Sequence, residues 1–153
     1  MKKHISIFSI LLLLALVLSV FSPAAARGRS LTANLYWGNV VPEGSGDPNG
    51  FGGGTIYLSS GQQQVCFELM VFFYPGFFPA NGAFIHQGAA GENGPVVIDL
   101  GPPIPPPGSS TATGCVGASS DLIHAINQNP SNYYLQITNE THPDGAIRGQ
   151  LMK

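Results

Sequence analysis

A chain of 153 residues has the length of one ordinary domain with a single core. Only 9% of its residues are charged, the formal net charge is −2 and 44% are hydrophobic, which excludes a disordered segment and, with no cluster of Lys and Arg, a nucleic-acid binder. Its 20 glycines and 13 prolines, set among Val, Ile and aromatic residues, point to a β-rich fold.

The first stretch, Met1 to Ala26, has Lys2 and Lys3, an apolar run from Ile5 to Phe21, and then Ser22-Pro23-Ala24-Ala25-Ala26. Charge, apolar core and small residues in that order predict a secretory signal peptide over 1–26, leaving a mature domain of 27–153 that begins at Arg27. The apolar run is nearly long enough for a retained anchor, but the proline before an A-x-A site favours removal, so no stable membrane anchor is expected afterwards. Loss of Lys2 and Lys3 takes the formal net charge from −2 to −4. Both cysteines, Cys66 and Cys115, lie in the mature part, and in an oxidising compartment their default is a disulfide. No C-x-x-C motif and no neighbouring His supports the alternative of a thiol metal or redox site.

Leu31, Ala33, Leu35 and Trp37 alternate with other residues and predict a half-buried strand over 31–37. From Asn39 to Gly54 the chain is glycine-rich and reads as an exposed connection, with turn chemistry at Asp47-Pro48-Asn49-Gly50. Asp47 and Asn49 have the oxygen spacing of a calcium loop, but the remaining ligands are missing. Thr55–Ser59 and Gln63–Phe73 predict a hairpin whose core face carries Val65, Phe67, Leu69 and Val71, with Cys66 opposite. The following run contains Phe72, Phe73, Tyr74, Phe77 and Phe78 around two prolines and a glycine, so it reads as an aromatic loop. Those rings either plug an open end of the fold or form a patch that contacts a partner, a glycan or a membrane surface.

Asn81-Gly82 and Asn93-Gly94 bracket two strands, one with Ala83 and Ile85 opposite Phe84 and His86, the other with Val96, Ile98 and Leu100 opposite Val97 and Asp99. Gly101–Ser110 is a proline-rich extended loop, and Thr111–Val116 a short strand. Ser119 or Ser120 caps a helix over 121–127, ended by Asn129-Pro130. Tyr133, Leu135 and Ile137 alternate with Tyr134, Gln136 and Thr138, and Pro143-Asp144-Gly145 turns into a last strand over 146–152 with Ile147, Gly149 and Leu151 inward and Arg148 and Gln150 outward. The sum predicts an all-β protein: an antiparallel Greek-key β-sandwich or flattened barrel of about eight strands with one short helix.

Chemistry-bearing residues are sparse. The mature histidines are His86, His124 and His142, of which only His86 falls on a predicted strand, so a metal site with three convergent ligands is not expected. No G-x-S-x-G and no matched carboxylate pair marks a hydrolase. Arg148 stands out in a strand poor in charge. It either pairs with Asp99 or Glu68 across the sheet or anchors an anionic ligand. Asn139-Glu140-Thr141 is an N-glycosylation sequon.

The segments VPEGSGDPNGFGGGTIYL, VCFELMV, FIHQGAAGENGPVVIDL, GCVGASSDLIHAINQNPSNYYLQITN and HPDGAIRGQL, in that order, resemble the CHRD domain, a module of secreted proteins that is also common in exported bacterial ones. The resemblance covers essentially the whole mature chain and implies that Cys66, in the V-C-F strand, pairs with Cys115, before the helix. Where the family often has H-I-H this chain has Phe84-Ile85-His86, and where it often has N-V-H this chain has Gln136-Ile137-Thr138. The family pattern looks a little like a copper-zinc superoxide dismutase, but such a site needs several imidazoles and His86 alone cannot supply them.

The resulting expectation is a secreted, non-catalytic module, extracellular or in the cell envelope, with no cofactor. Its partner would be an extracellular protein or a surface, contacted through Phe72, Phe73, Tyr74, Phe77 and Phe78, with His86 and Arg148 as further binding candidates. The alternative is a metal-binding, dismutase-like protein with a reduced histidine site.

Overall fold

The computed structural model describes residues 29–74, 80–105 and 111–153. The expected signal segment over 1–26 and the rings of Phe77 and Phe78 lie outside the described residues.

Eight antiparallel strands form one continuous sheet, the flattened-barrel form of the expected architecture. They are β1 (Arg29–Tyr36), β2 (Gly50–Ser59), β3 (Gln64–Phe73), β4 (Gly82–Gln87), β5 (Val96–Gly101), β6 (Ala112–Gly117), β7 (Tyr133–Thr138) and β8 (Ile147–Gln150). Their order is β5-β4-β7-β8-β1-β2-β3-β6, and the two edge strands β5 and β6 approach each other where the sheet curls almost closed. Read across that seam, β3-β6-β5-β4 is a Greek-key order.

The interior is set by alternation, because successive strand side chains point to opposite faces. Leu31, Ala33 and Leu35 of β1, Val65, Phe67 and Leu69 of β3, Ile85 of β4, Ile98 and Leu100 of β5, Leu135 and Ile137 of β7 and Ile147 of β8 all enter one core. Helix α1 (Ser120–Gln128) adds Ile123 and Ile126 to it. Ser119 is its N-cap and accepts from the Leu122 N–H at 3.3 Å, while the Ser120 hydroxyl donates to the Ser60 carbonyl at 2.9 Å. The first bond closes the helix's own N-terminus, and the second fixes the helix against the β2–β3 turn.

The expected bounds change most in two places, at Trp37 and at the start of β2. Trp37 does not extend the first strand; it opens a 3-10 turn (Trp37–Asn39) and packs on the edge of the core. Phe72 and Phe73 end β3, as the hairpin over Gln63–Phe73 predicts, and do not lie in the aromatic loop also expected to hold them. The largest change is β2, which starts at Gly50 and not at Thr55. The glycines there are not turn residues. A Cβ on Gly54 would stand 2.7 Å from both Leu69 and Leu135, and one on Gly52 would overlap the Met70 carbonyl. Gly52 and Gly54 are glycines because neighbouring groups occupy the space a side chain needs.

Cys66 and Cys115 sit opposite each other on β3 and β6 and form a disulfide across a sequence separation of 49 residues. Closing a loop of that size stabilises the fold by roughly 4 kcal/mol in the chain-entropy description. The bond holds β6 to the sheet beside the open seam.

Gly52 and Gly53 separate packing from conformational entropy. Gly52→Ala is expected to destabilise by about 1–3 kcal/mol, because a backbone carbonyl cannot yield. Gly53→Ala is expected to be neutral or to stabilise by about 0.5 kcal/mol, since its nearest obstacle is 3.8 Å away. Denaturant midpoints of the two variants check this, and equal losses would contradict it.

Candidate functional site

The outer surface of the sheet has two unlike halves. Over β4, β7 and β8 it is wrapped. Every residue of β7 is buried, although Tyr134, Gln136 and Thr138 point away from the core, because loops lie across them. The β4–β5 connection, residues 88–95, is one of these straps. The Gly88 N–H donates to the Asn132 carbonyl at 2.8 Å, Gln150 Nε2 donates to the Gly88 and Ser131 carbonyls at 2.7 Å each, and Asn93 Nδ2 donates to the Val41 carbonyl at 2.9 Å.

Under the strap lies a column of rings. His86 of β4 is opposite Tyr134 of β7, and their rings stack at 4.7 Å and 9°. Phe84 meets His86 edge-on, and the Arg148 guanidinium lies over the other face of Tyr134, 3.4 Å from its centroid. The Tyr134 hydroxyl accepts from the Gly94 N–H at 3.2 Å. Arg148 is only 1% exposed. Its Nη2 donates to the Ala89 carbonyl at 2.9 Å and its Nη1 reaches Asn93 Oδ1 at 3.4 Å.

The two partners expected for Arg148 are not the ones it has. Among the described residues no carboxylate lies within salt-bridge distance of it, and neither Asp99 nor Glu68 approaches. Asp99 accepts instead from the Gly101 N–H, and Glu68 from the Tyr57 hydroxyl. Burial pulls the Arg148 guanidinium below its ordinary value, with Tyr134 acting in the opposite sense. Arginine nonetheless stays charged.

His86 Nδ1 lies 2.9 Å from the Gly94 carbonyl, which fixes it as the protonated nitrogen and leaves the buried Nε2 without a partner. Desolvation is the main cause lowering the His86 pKa, the bond to Gly94 opposes it, and the Arg148 charge adds to the lowering.

A second polar cluster pins the 42–50 connection to the β7–β8 turn. Asp47, expected to be exposed, is buried: its Oδ1 accepts from the Asn49 N–H at 3.0 Å, and its Oδ2 accepts from Asn139 Nδ2 at 2.8 Å and lies 3.7 Å from His142 Nδ1. Asn139 Oδ1 accepts from the His142 N–H and the Thr141 hydroxyl. The sequon amide is therefore fully buried and already bonded, and a glycan on Asn139 is incompatible with this packing. The carboxylate that suggested a calcium loop is likewise engaged in holding two turns together.

The other half of the outer surface, over β1, β2 and β3, is open. Tyr36, Phe51 and Phe72 are in register across the three strands, and Phe51 and Phe72 stack at 5.3 Å and 22°. Tyr36, Phe51 and Met70 are each more than two-fifths exposed, Phe51 at 52%. Beside the rings Gly53 carries no side chain, so a groove of about 470 Å³ runs between Asn34, Phe51, Glu68 and Met70. Of the five rings expected to form a patch, Phe72 faces this groove, Tyr74 is 74% exposed just beyond it, and Phe73 turns into the core at 7%. Phe73 thus plugs the interior, as alternation along β3 requires. Phe51 and Tyr36 belong to the surface, and no sequence signal beyond their parity with Gly53 and Asn34 marked them.

Among the described residues there is no group of three or more His, Cys, Asp or Glu placed to hold a metal ion. His86 lies under the strap, His124 on α1 and His142 in the β7–β8 turn, so the fold does not bring them together.

A nearly closed antiparallel sheet, one capping helix, a β3–β6 disulfide and a strap-covered arginine in the last strand define a class of β-barrel module. The family model of the CHRD domain matches residues 31–151, and the chain belongs to that family. Neither a curated protein nor a solved structure gives a match.

His86 makes stability depend on pH in a known direction. Its folded pKa is below its ordinary 6.5, so the unfolded chain binds the proton first and stability is expected to fall as pH drops below 6.5. Melting temperatures between pH 7.5 and 5 are expected to fall less for His86→Phe, which keeps a ring on Tyr134. An identical slope in the variant would rule out His86 as the source.

Proposed function

We propose that this CHRD protein is secreted and non-catalytic, and that it acts outside the cytoplasm as a binding module whose contact surface is the open β1–β2–β3 face. The observation that carries the reading is the aromatic row Tyr36, Phe51 and Phe72, the first two exposed and the third half-buried, beside a glycine-floored groove. Large apolar side chains in a contiguous exposed patch mark interaction surfaces, whereas scattered ones do not. Aromatic rings held rigidly by a sheet give contact area at little entropic cost. The disulfide is in keeping with an oxidising compartment. Among the described residues no helix is long and apolar enough to cross a membrane.

The partner is an extracellular protein or a component of the cell surface. A Phe51→Ser, Phe72→Ser double variant is expected to melt within a few degrees of the parent, because both rings lie outside the core, and to lose most of its retention on the cell-envelope fraction of the producing organism. Undiminished retention of a folded double variant would contradict this assignment of the surface.

One observation favours the rival metal-binding reading. A histidine with Nδ1 held by a backbone carbonyl and Nε2 free has the arrangement of a metal ligand with its supporting bond. The second and third ligands are what the described residues do not supply. Elemental mass spectrometry of the exported protein is expected to find far less than one copper or zinc per chain. One equivalent, lost in His86→Ala, would replace the binding-module reading with a metalloprotein.

A further inference from the structure

Arg148 poses a problem of charge. Moving a guanidinium out of water costs several kcal/mol unless its charge is matched, yet the acceptors here are neutral: the Ala89 carbonyl, the Asn93 amide and the Tyr134 ring. A guanidinium has five N–H donors, and two of its nitrogens account for every hydrogen bond it makes to the described residues. Nε makes none. Arg148 also lines an open cavity of about 460 Å³, bounded on one side by the 38–43 segment and on the other by Ala90 and Gly91 of the strap. Arg148 is almost unwetted and contributes to the wall of a space large enough for a small organic molecule.

We propose that this cavity is a binding site for a small carboxylate, with Arg148 as its counter-ion. A carboxylate completes what the site lacks: one negative charge, and oxygen acceptors for the remaining guanidinium N–H groups. A monoanion fits better than a phosphate. A single buried cation neutralises one charge, and Glu43, exposed on the rim of the same cavity, repels the second charge of a dianion. The Tyr134 and His86 rings close the guanidinium's opposite face, so a ligand reaches it from the cavity side, past Ala89–Gly91. The cavity and the aromatic groove share no lining residue, although Tyr36 of the aromatic row is the cross-strand neighbour of Arg148.

The test is a titration of the exported, isotope-labelled protein by NMR at constant ionic strength and pH, with sodium acetate against acetamide. Acetate is expected to shift the Arg148 Nε–H and the amides of 89–93 saturably, and to raise the His86 pKa, whereas acetamide leaves them in place. Arg148→Gln is expected to weaken acetate binding by about tenfold or more. Glu43→Gln, on the exposed rim and outside every hydrogen bond described for the strap, is expected to tighten it by about threefold. If Arg148→Gln does not fold, Glu43→Gln alone decides, since it leaves the buried network intact. Equal shifts with acetamide, no saturation with acetate, or an affinity indifferent to Glu43→Gln would each overturn the proposal. Galacturonate and glycerate form the second arm: affinity well above that of acetate for galacturonate alone places the carboxylate on a sugar, and equal affinities for all three place recognition in the carboxylate itself.

Discussion

The interaction on which the wrapped half of the molecule depends is the stacking of the Arg148 guanidinium on Tyr134. β8 is only four residues long and lies between β7 and β1, so it joins the two halves of the sheet. A cation in so short a central strand needs a roof, since an isolated charge at that depth would be costly. The 88–95 strap supplies it: its carbonyl at Ala89 and amide at Asn93 take the guanidinium, and Gly94 takes the Tyr134 hydroxyl. The strap also reaches the first connection through Asn93 and Val41. The Arg148 side chain thus ties β7 and the strap to β8, Asn93 carries the tie on to the first connection, and removing the guanidinium would leave the strap's polar groups facing an apolar ring.

Strand positions were largely legible because they follow a period of two that few other structures share. Leu31, Ala33 and Leu35, or Tyr133, Leu135 and Ile137, can face a common core only as strands. The Ser119 cap, Asp121 and the Asn129-Pro130 stop likewise defined α1 to within two residues. Gly50–Gly54 was not legible. A run of glycine signals a turn when its backbone is free, and signals a close approach when other groups fill the space. That distinction resides in Leu69, Leu135 and the Met70 carbonyl, which are remote in the chain, so local reading chose the commoner meaning.

The candidate site was legible in its members and illegible in its connections. His86 and Arg148 stood out by residue type, but the residue that joins them is Tyr134, which parity alone put on the solvent side. An outward strand position becomes buried only when a loop covers it, and loop trajectories leave no periodic trace. The same holds for Asp47, whose turn chemistry was plain while its bonds to Asn139 and His142 cross most of the chain. Phe72 and Phe73 close β3 where the predicted hairpin ends it, and alternation along the strand sends Phe73 inward and Phe72 to the outer face.

The two outer faces follow from one economy of side chains. β2 contributes glycine where the sheet must pack closely inside and, at Gly53, where nothing stands outside, so a groove opens between Asn34, Phe51, Glu68 and Met70. Over β7 and β8 the reverse holds. Tyr134, Gln136, Arg148 and Gln150 offer hydrogen-bonding and stacking groups, and each is bonded or stacked to a connecting segment: Gln136 to the Asp144 carbonyl, Gln150 to Gly88 and Ser131, Arg148 to Ala89. Loops crossing a sheet must satisfy their own backbone groups, and these side chains let them do so. The difference between the two faces is therefore where their polar side chains are engaged: over β7 and β8 on connecting segments, and over β2 and β3 within the sheet, as in the bond from Tyr57 to Glu68.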